Sequence, residues 1–264
     1  MKTKSNMTVN QVICGDCLEV MKDIPDKSID MILCDLPYGT TACKWDVIIP
    51  FDKLWEQYHR IIKDNGAIVL TASQPFTSAL VMSNIKMFKY EWIWEKNCPS
   101  GFAFAKYQPM RNHENILVFC SGKTVYNKQQ ANSRIKDRKL GGKNGVFSPK
   151  NQSEHTGEML FSKKNNPDNI LLEKVNPRTV IEFDVPPRSK GTLHPTQKPV
   201  ALFEYLIKTY TNEGDLVLDN CAGSGTTGVA CINLNRNYIL IEKEPKYVDI
   251  IRERLKQITN LKEK

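Results

Sequence analysis

Apolar positions along this chain fall into two kinds of run that take turns. Short strand-like runs occur at Gln11–Cys14, Ile29–Cys34, Ala67–Leu70, Tyr90–Trp94, Asn115–Phe119, Leu216–Leu218 and Tyr238–Ile241. Between them lie stretches with helical spacing. The clearest places Phe51, Leu54, Trp55, Tyr58, Ile61 and Ile62 on one face, with Asn65-Gly66 as the expected stop. Leu18–Ile24, Pro199–Tyr210, the residues from Gly228 to about Leu234, and Tyr247–Ile258 read as further helices. Strands and helices in alternation predict an α/β fold, with a mainly parallel sheet and helices on both faces.

The pattern lapses in the middle. From Lys123 to Lys190 the chain is rich in Asn, Gln, Lys, Gly, Ser and Pro, with only short apolar runs such as Ile170–Leu172. A stretch of this length without regular elements reads as a functional insertion. The chain therefore divides into residues 1–122, an insertion at 123–190, and residues 191–264, the two outer pieces forming halves of one domain.

Charge sharpens that division. The 264 residues carry a net +8, and the insertion alone holds ten Lys and four Arg against seven Asp and Glu, a net +7. A basic surface confined to one region suits a polyanion, because each neutralised phosphate releases counterions. Charge alone fits a solvated, solubilising face equally well. Eight cysteines in a chain of this length do not make a disulfide framework, and Cys34, Cys120 and Cys231 sit in apolar runs where a thiol acts as a small hydrophobe. Cys14 and Cys17 have CxxC spacing without a second pair, so no metal site is expected. No apolar run reaches membrane-spanning length, and the first residues lead into no signal-like stretch. The chain reads as cytoplasmic.

Two loops carry chemistry. Gly223-Ser224-Gly225-Thr226-Thr227-Gly228 follows a strand and opens a helix, and Glu242 stands nineteen residues after Gly223 at the end of the next strand. Glycines permit a tight turn and close backbone approach, and the acid accepts hydrogen bonds from ribose hydroxyls, so the pattern predicts a nucleoside cofactor. Only 36 residues follow Gly228, too few for the βα units that a NAD-binding domain builds after this loop. The rest of the sheet must come from the N-terminal half, a permuted order.

The second loop is Asp35-Leu36-Pro37-Tyr38, at the carboxyl end of a strand. An exocyclic amine on a nucleobase is a poor nucleophile because its lone pair is delocalised into the ring. A carboxylate accepting one N–H and a backbone carbonyl accepting the other would localise that pair. Proline stiffens the turn, and Tyr38 offers a flat face to an unstacked base.

Together these residues resemble the amino-methyltransferases that act on DNA, in the group whose [D/N/S]-P-P-Y loop precedes the glycine loop. The resemblance is carried by Gly15–Leu18, Ser28–Tyr38, Asn112–Phe119, His194-Pro-Thr-Gln-Lys-Pro199 and Val217–Gly228, and covers nearly the whole chain except the middle. It implies a Rossmann-like sheet in permuted order, S-adenosylmethionine as cofactor and double-stranded DNA as partner, with a target-recognition region in the insertion. It also implies roles: Asp35, the Leu36 or Pro37 carbonyl and Tyr38 at the target base; Asp16 and Cys17 at the cofactor adenine; Glu242 at its ribose. Asp35, Asp219, Gly223, Ser224, Gly225 and Thr226 would line the cofactor site, with His194, Thr196 and Lys198 approaching from the other side. Arg134, Arg138, Lys163 and Lys164 are the candidate DNA contacts.

Leu36 departs from the family, which usually has proline there. Its carbonyl remains, and the loop loses rigidity. Asp35 leans toward adenine N6 over cytosine N4, a preference that comes from the resemblance. A NAD-dependent oxidoreductase, a methyltransferase acting on RNA or protein, and an inactive DNA-binding module are the competing readings, and a homodimer is left open.

Overall fold

The computed structural model describes residues 8–41, 43, 46–134, 172–185 and 197–262. Its elements in chain order are β1 (Gln11–Cys14), α1 (Cys17–Val20), β2 (Ile29–Asp35), α2 (Phe51–Ile61), β3 (Ile62–Ala72), α3 (Phe76–Ser83), β4 (Phe88–Ser100) and β5 (Arg111–Phe119). There follow β6 (Ala131–Arg134), β7 (Leu172–Val175), β8 (Val180–Glu182), α4 (Val200–Tyr210), β9 (Leu216–Asp219), α5 (Thr226–Asn233), β10 (Asn237–Glu242) and α6 (Pro245–Lys262).

The chain forms two compact units. One comprises residues 1–128 and 178–264, the other Gln129–Pro177. Among the described residues, the second unit holds the antiparallel pair β6–β7. The first holds an eight-stranded sheet in the order β1-β10-β9-β2-β3-β5-β4-β8. The strands from β1 through β3 are parallel neighbours, β5 runs antiparallel to both β3 and β4, and the short β8 adds a parallel edge to β4. β9 and β10, from the C-terminal end of the chain, lie between β1 and β2. This is the permuted order that the short tail after Gly228 requires.

Strand periodicity splits the core in two. Ile32, Cys34, Ile68, Leu70, Leu117 and Leu218 face a cluster that includes Leu54, Trp55, Tyr58 and Ile61 of α2 and Phe76 and Leu80 of α3. Their alternating neighbours Met31, Leu33, Val69, Val118, Val217 and Leu240 face Leu202 and Leu206 of α4, Val229 of α5, and Ile251 and Leu255 of α6. Successive side chains point to opposite faces, so a strand buried on both must be apolar throughout. That is why these strands read as continuous apolar runs.

Three short strands, β6, β7 and β8, lie in the stretch 123–190 that the sequence reads as lacking regular elements, and α2 and α3 also differ from the sequence reading. α2 ends at Ile61, before Asn65-Gly66, and Gly66 lies inside β3 where the register with β2 shifts. A Cβ on Gly66 would stand 2.9 Å from the Asp30 carbonyl oxygen and 2.7 Å from the Ile62 side chain. The glycine serves close strand approach and not a helix stop. α3 has no counterpart in the sequence reading, because its eight residues are apolar on most sides and show little helical contrast.

No helix among the described residues is long and apolar enough to cross a membrane.

Candidate active site

β2 and β9 are parallel neighbours, paired through Met31 with Val217 and Ile32 with Leu218. The chain leaving β2 reaches α2 on one face of the sheet, and the chain leaving β9 reaches α5 on the other. Connections that part in this way open a crevice at the carboxyl ends of the strands, where α/β sheets place ligands. A cavity of about 1230 Å³ occupies this place. Small-molecule sites usually measure roughly 300–1,000 Å³, so it has room for a cofactor and a second reactant.

On one side lies the 35–38 loop. Asp35 ends β2 opposite Thr71 of β3. Thr71 donates its hydroxyl hydrogen to Asp35 Oδ1, and Tyr38 donates to the same oxygen at 2.8 Å. Lys198 Nζ, buried, donates to Asp35 Oδ2 at 2.5 Å and stands 3.5 Å from Glu114 Oε2. Lys96 Nζ holds the other Glu114 oxygen at 3.1 Å. Two cations and two carboxylates thus alternate in a partly buried chain. Burial alone would pull the Lys198 ammonium down, but Asp35 and Glu114 outweigh it and raise its pKa. Tyr38 packs one ring face on Phe76, with centroids 5.1 Å apart and planes at 27°. Burial, followed by the Asp35 charge, pushes its phenol well up, so it stays a neutral donor.

The loop is held in two ways that the sequence reading missed. Leu36, where the family usually has proline, is buried in the core beside α2 and α3. Asp46, also buried, accepts hydrogen bonds from the backbone N–H groups of Gly39, Thr40 and Thr41 at 2.8, 2.9 and 2.6 Å. Burial acts to raise the Asp46 carboxyl, but the hydrogen bonds from Thr41, Gly39 and Thr40 bring it below its usual value. A buried aliphatic anchor and a capping carboxylate supply rigidity to the loop that proline would otherwise lend.

The opposite side is the glycine loop. Gly223 and Gly225 adopt φ of 54° and 77°. The Gly223 N–H donates to Glu242 Oε2 at 2.8 Å, and the Glu244 N–H to Oε1 at 2.9 Å. Burial raises the Glu242 pKa against these hydrogen bonds. Asp16 caps α1 by accepting from the Leu18 N–H at 3.0 Å, and its other oxygen lies 3.6 Å from Lys243. Arg254 of α6 ties the loop from behind, donating to the Ser224 carbonyl at 2.8 Å. Tyr58 of α2 donates to Asn220 Oδ1 at 2.6 Å.

Asp16, Cys17, Asp35 through Tyr38, and Lys198 all line the cavity. So do Asp219, Gly223, Ser224, Thr226 and Glu242. Gly225 does not. It turns the chain into α5 and packs on Ile251. Lys198 bridges Asp35 and Glu114 through its ammonium, and its backbone carbonyl accepts from the Thr226 hydroxyl at 3.4 Å. His194, Thr196, Arg138, Lys163 and Lys164 lie outside the described residues, and of Arg134 only the backbone, in β6, is described. Thr71, Glu114, Lys96, Asp46 and Arg254 escaped sequence reasoning. Thr71 left a signal as a polar residue at the end of a strand parallel to β2, and Glu114 lies within the Asn112–Phe119 segment that carries the resemblance. The site fits an adenosine-bearing ligand, since the buried Glu242 at the tip of β10 and the exposed Asp16 just past β1 supply carboxylate acceptors for hydroxyl and amino groups. Among the described residues no cluster of His, Cys, Asp or Glu could hold a metal ion.

Fold and site define an α/β protein with a nucleoside-type ligand crevice, in which the Asp35 carboxylate and a glycine loop line one cavity at the switch point. Comparison with known proteins gives the particular family. A family model described as DNA methylase matches residues 29–253. The DNA adenine methyltransferase YhdJ of Escherichia coli (strain K12) is 30% identical, over 96% of this chain and 85% of the relative. The type II methyltransferase M.HpaI of Haemophilus parainfluenzae is 28% identical, over 93% of this chain and 74% of the relative. Among solved structures, the M1.HpyAVI–SAM complex aligns with a TM-score of 0.61 at 28% identity, over 93% of this chain and 98% of that one. The PvuII DNA methyltransferase (cytosine-N4-specific) shares the fold, with a TM-score of 0.62 at 16% identity over 96% and 92% of the two chains. The chain belongs to the DNA methylase family, whose members are S-adenosylmethionine-dependent enzymes that methylate adenine N6 or cytosine N4 of DNA.

Proposed function

We propose that this enzyme methylates adenine N6 at specific sites in double-stranded DNA, with Asp35 as the group that orients the target amine. One observation carries the reading. Asp35 stands at the switch point, on the strand beside the glycine loop, with its oxygens lined into the cavity by Thr71, Tyr38 and Lys198. The E. coli relative's name supports adenine. Cytosine N4 is the runner-up, and the NAD-dependent alternative finds no support in the relatives.

A base inside a duplex is out of reach of such a cavity, so the target nucleotide swings out at a cost of a few kcal/mol. Its ring lies along Tyr38, whose opposite face rests on Phe76. One N–H of the amine goes to Asp35 and the other to a backbone carbonyl of the 36–37 turn, which aims the nitrogen lone pair into the cavity. Glu242 and Asp16 hold the nucleoside part of the cofactor. S-adenosylmethionine, when bound, supplies an electrophilic methyl carbon for direct in-line displacement. Charge developing on the amine nitrogen is stabilised by the Asp35 carboxylate, fixed in advance by its neighbours. No nucleophilic cysteine takes part. The free thiols at Cys14 and Cys17 and throughout the described residues suit the reducing cytoplasm, where DNA and cofactor meet.

Digestion of DNA from cells expressing the protein, followed by mass spectrometry of the nucleosides, is expected to show N6-methyladenine. N4-methylcytosine alone would overturn the adenine assignment. Asp35→Ala is expected to abolish transfer while the fold persists, because Lys198 keeps a partner in Glu114. Near-normal turnover of that variant would refute the role given to Asp35.

A further inference from the structure

The turn between β4 and β5 lies beside the cavity, since Ser100, Gly101 and Phe102 are part of its wall. Ser100 pairs with Arg111 across the base of the turn, and Arg111 is anchored by a hydrogen bond to Ser73. Gly101, at φ 90°, starts a 3-10 turn over Phe102–Phe104. Backbone N–H groups of Phe104, Ala105, Tyr107 and Gln108 donate to carbonyls three or four residues back. The head is therefore an ordered structure, and its rings are nonetheless left in water. Phe102 is 82% exposed, Phe104 59% and Tyr107 80%. Residues 97–113 include Lys106 and Arg111 and no Asp or Glu, and the Lys106 ammonium stands 5.8 Å from the Tyr107 ring centroid.

Three exposed rings within six residues fit a partner that presents flat apolar faces, and the absence of acids fits one that is an anion. Nucleobases on a phosphate backbone have both properties. We infer that this head is a stacking surface for DNA bases next to the target nucleotide, with Phe102, Phe104 and Tyr107 as the rings that meet them. The inference rests on the proposed action on DNA. It assigns a contact separate from the basic insertion, on the unit that carries the site. The rings meet base faces while Lys106 meets phosphate, so the two kinds of contact separate by salt. Stacking persists as ionic strength rises, and the phosphate contribution fades.

The test uses the full-length protein and a fluorescently labelled single-stranded oligonucleotide of mixed sequence, with anisotropy read over a series of salt concentrations. The Phe102→Ala/Phe104→Ala/Tyr107→Ala variant is expected to bind at least about tenfold more weakly at every salt concentration, with the salt slope unchanged. Its melting temperature should match the wild type, because the rings are exposed, and Phe104→Ala/Tyr107→Ala, which leaves the cavity wall intact, should keep wild-type affinity for S-adenosylmethionine. Phe102→Trp, which keeps a ring, should bind like the wild type, and Lys106→Ala should flatten the salt slope. Wild-type affinity in the triple variant, or a wild-type protein that ignores the oligonucleotide, overturns the inference. So does conversion of a dimer to a monomer by the triple substitution at unchanged oligonucleotide affinity, which would make the patch a contact between two copies. A wild type that methylates duplex DNA while the triple variant binds normally defeats the stacking surface alone. A wild type that transfers no methyl group to DNA defeats the proposed function instead.

Discussion

Asp35 and Asp219 end neighbouring strands, and their partners set them apart. Asp35 has an ammonium against it. Asp219 is buried with no cation against it, satisfied by the Thr227 hydroxyl, the Cys221 N–H and the Cys34 thiol. Burial pushes its carboxyl up from 3.8 to about 7, against these hydrogen bonds. Between those values the folded protein holds a proton that the unfolded chain has released, so this group makes folding less favourable as pH rises through the window. Asp219→Asn, which cannot ionise, is expected to gain stability relative to the wild type as pH goes from about 4 to 7, and to hold that gain above. Urea denaturation of both proteins across this range checks the sign, and a stability difference independent of pH would refute it. At this scale the sequence shows a residue's chemistry and hides its neighbours. Asp35 and Tyr38 were legible because they are adjacent in the chain. Thr71, Glu114 and Lys198, which reach Asp35 or its partner lysine from far along the sequence, were not assignable to that carboxylate.

The glycine loop shows the same limit among elements. Its residues announce a turn into a helix after a strand, and the structure has that turn. The division of labour among the glycines is a matter of packing. Gly223 offers its N–H to Glu242. Gly225 sits at φ 77° against α6, where a Cβ would come within 2.8 Å of Ile251. A left-handed conformation costs an L-residue roughly 1–2 kcal/mol before any contact is counted. Gly225→Ala is therefore expected to destabilise the protein by about 2 kcal/mol or more, read as a lower urea midpoint at unchanged slope. Helices were found by their apolar spacing wherever one face was polar, as in α2 and α6, although α6 runs on to Lys262, four residues past the expected Ile258. α3 was missed because its exposed face carries Ala79 and Met82, and a helix with apolar residues on both faces loses that contrast. The Asn65-Gly66 stop was misread because a glycine that permits close strand approach looks, in sequence, like one that ends a helix.

Across the whole molecule, the basic middle of the chain is where DNA specificity is proposed to reside. The compact unit Gln129–Pro177 falls within it, and the neighbouring Val180–Glu182 strand belongs to the main sheet instead. Exchange of residues 129–177 for the matching segment of a relative is expected to change the sequence methylated and leave S-adenosylmethionine affinity within about threefold. Sequencing of modified sites and calorimetry read the two effects. Methylation of the same sites after the exchange would make the segment a solubilising loop. Binding to duplex DNA should also weaken steeply with salt, because phosphate contacts release counterions.

The amino-acid sequence by itself determined the kind of fold, the permuted order and the two loops. Those follow from hydrophobic period and from residues contiguous in the chain, which local sterics and burial express directly. Tertiary structure alone decided that β9 and β10 enter the sheet between β1 and β2, and that Lys198 lies against Asp35. It also decided that Asp46 caps the loop in which Leu36 replaces proline. These are pairings between segments far apart in the chain. A distant charge, an anchor or a strand partner leaves no periodic signal in sequence, because what selects it is the closeness that folding creates.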